Sequence, residues 1–393
     1  MDFNDSVEDA AFRKDVRTFL EAELTDDVRG DGDMESAFMR ANTPALAAWR
    51  SKVAGKGWVA PAWPKEYGGA GLSVMQQFVM NEEMAEHRAP PVGGMGVMMV
   101  GPTLIVHGNE DQKKEHLGRI LAGDVQWCQG FSEPGAGSDL ASLQTRAVRD
   151  GDDFIINGQK IWTSGAHMAD WMFLLTRTDP DAPKHKGISY FLLDMRTPGI
   201  EVRPLINLAG QYMFNEVFFD NVHVPASNLV GELNRGWYIG TTTLDFERSS
   251  IGSAVGVRHQ LDGLVAEVRD PATPAARRAA GLPSLKLEIA DRYVEANVAR
   301  MMSYRVTTMQ AKGMIPNHEA SAAKLFSSEL GQRIARTGMR LLGLHGQQID
   351  EGAPIKGRYG RSYMSSLSST IAGGTSEIQR NIIAQRGLGL PRS

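Results

Sequence analysis

Phe154-Ile155-Ile156-Asn157-Gly158-Gln159-Lys160-Ile161-Trp162 is the stretch at which the hydrophobic period of this chain turns strand-like. Apolar runs rich in β-branched and aromatic residues flank an Asn-Gly pair, which predicts a hairpin with a type I′ turn. Trp171 to Leu175, Ile188 to Leu193 and Glu216 to Phe219 follow as apolar runs of strand length. A compact β region is therefore expected between about Val125 and Val230.

Outward from that region the sequence reads as helix on both sides. Upstream, Ser6 and Asp9 suit a capping box ahead of Phe12, Val16, Phe19 and Leu20, which recur at helical spacing. Leu46, Trp49 and Val53 mark a second helix, Gly55 to Gly71 a Gly/Pro-rich loop, Ser73 the start of a third helix towards Pro90, and Gln112 to Leu121 another. Downstream, four long stretches near 237–268, 285–312, 318–342 and 366–385 suggest a bundle. The expected fold class is α+β multidomain: an N-terminal α-helical domain (1–124), a middle β-barrel-like domain (125–235) and a C-terminal four-helix bundle (236–393). No internal repeat or flexible linker separates them, so they are expected to pack as one body.

Composition narrows the function. The 393 residues exceed what one core usually holds, and a net charge of −4 with scattered basic residues offers no stripe to neutralise a nucleic acid. The acidic start, Met1 to Asp5, is unlike an export signal. Pro90 to Val106 is free of charge but short for a bilayer and interrupted by glycines, so it is expected to be core, with no membrane span. The single cysteine, Cys128, suits a reducing, cytoplasmic setting and cannot build a thiolate metal site, and the nine histidines show no zinc-like spacing. No metal is expected.

Four segments could carry chemistry. Gly130-Phe131-Ser132-Glu133-Pro134-Gly135-Ala136-Gly137-Ser138-Asp139 is either a tight polar loop or a place where backbone N–H groups approach a phosphate or a flavin ring. Trp162-Thr163-Ser164 offers an indole and two hydroxyls, as a core tryptophan or as one wall of a flavin pocket. Leu244, Glu247, Ile251 and Ala254 share a helix face, so Glu247 interrupts an apolar stripe. It either snorkels to an arginine or serves as a general base whose pKa burial raises. Gly373-Gly374-Thr375-Ser376-Glu377 reads as a glycine turn and a capped helix start, which also attracts anions. No Gly-x-Gly-x-x-Gly follows a strand, so a Rossmann site is not supported.

Taken in this order, the segments resemble the acyl-CoA dehydrogenase family over nearly the whole chain. Gly130 to Asp139 with Leu140-Ala141-Ser142 resembles its flavin-contacting signature, Asn157 to Ser164 its second flavin segment, and Gly374-Thr375-Ser376-Glu377-Ile378-Gln379-Arg380 its C-terminal one. The resemblance implies FAD as cofactor, with Gln129, Phe131, Ser132, Gly137, Ser138, Trp162, Thr163 and Ser164 lining the isoalloxazine and Thr375 and Glu377 nearby. It implies that Ser138, Asp245 and Arg248 face an acyl-CoA thioester, and that an electron-transfer flavoprotein takes the electrons. Many members carry the catalytic glutamate directly before Gly-Thr; here that place is Gly373. A smaller set, including the isovaleryl type, places it in Leu-Asp-x-Glu-Arg, which Glu247 matches.

Two departures follow. The family's Arg-x-x-Phe-Gly segment, supplied to a neighbour's FAD, is replaced by Arg277-Arg278-Ala279-Ala280-Gly281, and its Gln-x-x-Gly-Gly by Arg340-Leu341-Leu342-Gly343-Leu344. The pattern resembles actinobacterial members that act on bulky steroid side chains as mixed tetramers. A homotetramer or an α2β2 heterotetramer with a second acyl-CoA dehydrogenase-like chain is expected. A flavin oxidase or monooxygenase on the same fold, or a non-catalytic partner subunit, is the alternative.

Overall fold

The structure, a computed structural model, describes residues 4–29, 43–246, 251–350 and 352–391. Its N-terminal helices begin where side chains can satisfy the free N–H groups of a first turn. Ser6 accepts from the Asp9 N–H at the start of α1 (Val7–Glu23), and Thr43 does the same for α2 (Pro44–Gly55). Complete capping boxes open α3 (Val74–Glu86), from Ser73 and Gln76, and α5 (Glu110–Ala122), from Asn109 and Gln112. Between them one π-helical segment, Gly96–Val100, runs into α4 (Gly101–His107). This lies in the charge-free stretch, which is mostly buried, with Met98 and Val106 exposed. Gly93 and Gly94 stand at positive φ ahead of the helix, whereas Gly101 serves packing within it: a Cβ there would lie 2.0 Å from the Trp63 ring.

Seven strands form one sheet in the order β1-β4-β2-β3-β7-β6, with β5 on β4. They are β1 (Trp127–Gly130), β2 (Arg146–Asp150), β3 (Asp153–Lys160), β4 (Trp171–Arg177), β5 (Ile188–Asp194), β6 (Ile200–Ile206) and β7 (Tyr212–Pro225). Strands β4 and β5 are buried almost throughout, which is why they read as unbroken apolar runs. The expected hairpin at Asn157-Gly158 is not formed. Strand β3 continues through it, and the turn to β2 is Gly151-Asp152 instead. Asn157-Gly158 is a bulge where the pairing with β7 shifts register. Gly158 sits at φ 149, and a Cβ there would stand 2.7 Å from the Thr145 backbone.

Seven helices follow: α6 (Gly236–Phe246), α7 (Ile251–Arg269), α8 (Pro274–Gly281), α9 (Ser284–Ala311), α10 (His318–Leu342), α11 (Arg358–Ser369) and α12 (Ser376–Ile382). The stretch read as 237–268 is helical over Gly236–Phe246 and Ile251–Arg269, with 247–250 outside the described residues, and the one read as 366–385 breaks at Gly373 and Gly374, whose φ of 63° and 87° leave the helical region. Helices α7, α9, α10 and α11 share one core of Leu261, Leu264, Ile289, Leu330, Ile334, Leu341 and Tyr359, a four-helix bundle. The architecture is therefore helical, then sheet, then helical.

Contacts gather the chain into two compact units: Met1–Gly32 with Ser73–Pro90 and Ser249–Ser393, and Asp33–Leu72 with Pro91–Arg248. In the first, Arg13 ties α1 to Glu82 at 2.8 Å and Glu83 at 3.0 Å on α3, and Arg300 of α9 meets Glu82 at 2.7 Å. Burial works to raise the Glu83 carboxyl, but Arg17 and Arg13 together hold it below its usual value. No described helix is long and apolar enough to cross a membrane.

Because Gly158 holds a left-handed bulge against backbone rather than a hairpin tip, Gly158→Ala is expected to destabilise the protein by about 1–3 kcal/mol. A thermal melt unchanged from wild type would contradict the bulge.

Candidate functional site

Strand β1 delivers the chain into the loop Gly130–Asp139, and the loop is fastened from below. Glu133 and Ala136 exchange backbone hydrogen bonds at 3.0 Å, closing a tight turn over Pro134-Gly135. The Glu133 carboxylate, 8% exposed, turns inward and accepts from the Gln144 N–H at 2.6 Å and the Thr145 N–H at 2.9 Å. Its third partner is the Lys160 ammonium at 2.8 Å, which is wholly buried and also donates to the Phe131 carbonyl at 3.0 Å. Burial pulls Lys160 down to about 8, with Glu133 working to raise it. Burial works to raise Glu133, but Lys160 and its hydrogen-bond donors hold it below the usual carboxylate range. At neutral pH the pair is therefore ionic.

Lys160 is also the last residue of β3, so the same ion pair anchors the next segment. Ile161 N–H donates to the Ser132 carbonyl at 3.0 Å, and Trp162 then takes φ 59° with its indole 59% exposed. A bulky residue in the left-handed region is strained, and such strain collects at functional sites. Thr163 is buried, exchanging backbone and amide hydrogen bonds with Asn215 on β7, yet its Oγ1 has no partner. Gln129 Nε2 and Asn215 Oδ1 are likewise buried without one. Buried polar atoms are nearly always satisfied, so orphans next to a strained, exposed indole suit a polar ring system that would complete them. Gly137 and Ser138 are exposed, and a Cβ on Gly137 would meet no atom of the chain, which leaves that space to a ligand.

Most of the expected residues thus lie in one unit: Gln129, Ser132, Gly137, Ser138, Trp162, Thr163 and half-buried Ser164. Phe131 differs from its expected place. Its ring is buried, edge-on to Phe173 at 5.7 Å and to Tyr190 at 6.2 Å, so it supports the wall from beneath. Sequence reasoning missed Glu133 and Lys160 as a clamp, and Asn215 altogether. Glu247 and Arg248 lie outside the described residues, as does the side chain of Asp245.

The C-terminal segment lies in the other unit. Thr375 caps α12 by accepting from the Ile378 N–H at 3.2 Å, as the sequence suggests. Lys324 donates to the Gly374 carbonyl at 2.6 Å and Gln379 to the Gly373 carbonyl at 3.1 Å, fixing the glycine turn. Thr375 and Glu377 border a cavity of about 470 Å³ together with Arg336 and Arg380. The arginines of the two departing segments are engaged within the chain: Arg277 donates to the Ala272 carbonyl at 2.8 Å, and Arg278 to the Arg340 carbonyl at 2.7 Å near the end of α10.

Residues 6–124, 128–222 and 234–388 match, respectively, the N-terminal, middle and C-terminal domains of acyl-CoA dehydrogenase. The chain belongs to the acyl-CoA dehydrogenase family. It is 36% identical over 390 residues to acyl-CoA dehydrogenase IpdE1 of Mycobacterium tuberculosis, covering 97% of each chain. With FadE26 of the same organism it shares 38% identity over 349 residues, 86% of each. Among solved structures, the Tcur3481-Tcur3483 steroid ACAD superposes with a TM-score of 0.86 at 35% identity over the full length of both chains. The ChsE4-ChsE5 complex of M. tuberculosis does so at 0.82, also at 35% identity and full coverage of both. This acyl-CoA dehydrogenase is accordingly an oxidoreductase of a flavoprotein family, acting on CH–CH groups of acyl-CoA.

Removing one end of its buried ion pair should isolate the other. Lys160→Met is expected to destabilise the fold by about 3–5 kcal/mol at neutral pH, because Glu133 is left charged and unpaired. The depressed carboxyl means that the stability it contributes is complete above its unfolded value of 4.5 and lost as pH falls through the folded one. The penalty should therefore shrink in acid. Melting curves of both proteins across pH check this, and a pH-independent difference would contradict it.

Proposed function

We propose that this chain binds FAD along the Gly130–Asp139 and Trp162–Ser164 segments and dehydrogenates a bulky acyl-CoA thioester, with Glu247 as the base that takes the α proton. The observation that carries the reading is the strained, exposed Trp162 beside the unsatisfied Thr163 hydroxyl on a clamped loop. Gln129, Ser132, Gly137, Ser138, Thr163 and Ser164 would hold the ring, with Thr375 and Glu377 towards the rest of the cofactor. Bound FAD would supply the acceptor for the β hydrogen.

The residues of the chain supply position and proton transfer. Ser138, Asp245 and Arg248 would orient the thioester, and Glu247 needs a lifted pKa to accept a carbon-bound proton at neutral pH. Only one base is required, and Gly373 carries none, which supports assigning that role to Glu247. An enolate-like charge on the thioester oxygen would need hydrogen-bond donors fixed in advance. The electrons would pass to an electron-transfer flavoprotein.

The steroid ACAD and the two-component complex among its structural relatives support a steroid side-chain thioester and an α2β2 assembly. So does the internal use of Arg277, Arg278 and the Arg340 carbonyl, which withdraws the arm that family members lend to a neighbour's FAD. At Gly373, φ 63°, an added Cβ would meet only the Lys324 side chain, at 3.9 Å, which supports room for a branched acyl group.

Glu247→Gln is expected to retain the yellow flavin spectrum while losing about 10²–10⁴-fold in turnover with the thioester that best bleaches the wild-type protein under anaerobic conditions. Near-normal turnover would remove Glu247 from the mechanism, and oxygen uptake without CoA would favour an oxidase. Purified alone, the chain should carry less than one FAD per polypeptide and gain it on co-expression with a second dehydrogenase-like subunit. A fully loaded homotetramer would refute the mixed assembly.

A further inference from the structure

Helix α6 is described as far as Phe246, and Glu247 is the next residue in the sequence. The helix is apolar, and its hold on the rest of its unit is unusually specific. Thr243, wholly buried one helical turn ahead of Glu247 in sequence, places its Oγ1 2.8 Å from Thr103 Oγ1 on α4 and 3.5 Å from the Tyr190 hydroxyl on β5. One residue earlier, Thr242 meets His107 Nε2 at 3.0 Å. Tyr190 is wholly buried, so its hydroxyl relies on these threonines for a partner, and burial holds it un-ionised.

The same tyrosine touches the flavin wall. Its ring lies 6.2 Å from Phe173, nearly parallel, and 6.2 Å from Phe131, edge-on. Phe131 belongs to the loop whose carbonyl Lys160 holds. Helix α6 closes on this ring at Gly240, where an added Cβ would stand 3.7 Å from Phe131 Cζ and 3.3 Å from Leu175. One buried aromatic therefore joins the wall to the helix that leads to the base, by packing on one side and by hydrogen bonding on the other.

We infer that Tyr190, Thr243 and Thr103 are positioning residues that set helix α6, the segment that precedes Glu247 in the sequence, against the Gly130–Asp139 wall. The inference rests on Glu247 being the base. Abstraction of an α proton tolerates little misplacement, and an error of about 1 Å can lower a rate 100-fold. The 2.8 Å contact between the Thr243 and Thr103 hydroxyls, in a dry site, fixes the helix in rotation as well as in depth, which apolar packing alone does not.

The test uses the FAD-loaded enzyme, isolated with a partner subunit if loading requires one, and three variants. In Thr243→Val and Tyr190→Phe, anaerobic flavin reduction by the best thioester should slow about 10- to 100-fold. Half-saturating thioester concentration and the visible spectrum should stay unchanged. Thr243→Ser should recover most of the rate. Amide hydrogen exchange across residues 236–246 should quicken in the two slow variants, with or without cofactor. Wild-type reduction rates in both would overturn the inference, and if Thr243→Val fails to fold, Tyr190→Phe decides. Glu247→Gln is measured alongside. If that variant is inactive while Thr243→Val and Tyr190→Phe are normal, only the junction fails; if Glu247→Gln is normal, the base assignment falls and takes the junction with it.

Discussion

The Glu133–Lys160 ion pair is the constraint on which the rest of the candidate site depends. Both charges are almost completely withdrawn from water, and neither could remain there alone. Measured against a well-packed apolar pair, such a bridge adds little net stability. What it adds is location. Its carboxylate holds the N–H groups of Gln144 and Thr145, and its ammonium holds the Phe131 carbonyl at the end of β3. Two segments that meet only through long-range folding are thereby fixed to each other within hydrogen-bond tolerance, and Trp162 is the second residue beyond the anchor.

That anchor explains how a strained tryptophan is maintained. A left-handed Trp162 relaxes unless its neighbours prevent it, and they do: Ile161 is bonded to Ser132 and Thr163 to Asn215 on opposite sides. The indole is then held out from the surface rather than folded into the core, with Phe214 edge-on at 6.0 Å. Clamp, strain and unsatisfied hydroxyl form one chain of cause. The result is an exposed indole beside a buried hydroxyl that no group of the chain satisfies.

Much of the fold was legible because its signals are local. Serine and threonine caps placed the starts of α1, α3 and α12, and strands buried on both faces stood out as apolar runs. Strands β2 and β6 did not, because Arg146-Ala147-Val148-Arg149-Asp150 buries only Ala147 and β6 lies at the sheet edge. Asn157-Gly158 misled because a type I′ turn and a bulge both need glycine in a left-handed conformation, and only the partner strand distinguishes them. Within the site, the glycine loop and Trp162-Thr163-Ser164 could be read directly. Lys160 could not, since its carboxylate lies 27 residues away, and Asn215 looks like any polar residue on a half-exposed strand.

Moving a catalytic carboxylate from one segment to another requires that the vacated place remain sound without it. Here the turn before α12 is held by Lys324 and Gln379 through the carbonyls of Gly374 and Gly373, not through any side chain at position 373. Its left-handed φ disfavours a glutamate at that point and suits glycine, so nothing in the local structure is lost by the absence. If Glu247 is the base, helix α6, which precedes it in the sequence and is itself apolar, needs a fixed position. Helix α6 meets that need with buried hydroxyls rather than ion pairs. A cation held against a carboxylate base would favour its ionised form and weaken its grip on a carbon-bound proton. Neutral hydroxyls orient without that penalty, which makes a threonine–tyrosine junction a more suitable support for this chemistry than the carboxylate–ammonium clamp used beneath the flavin wall.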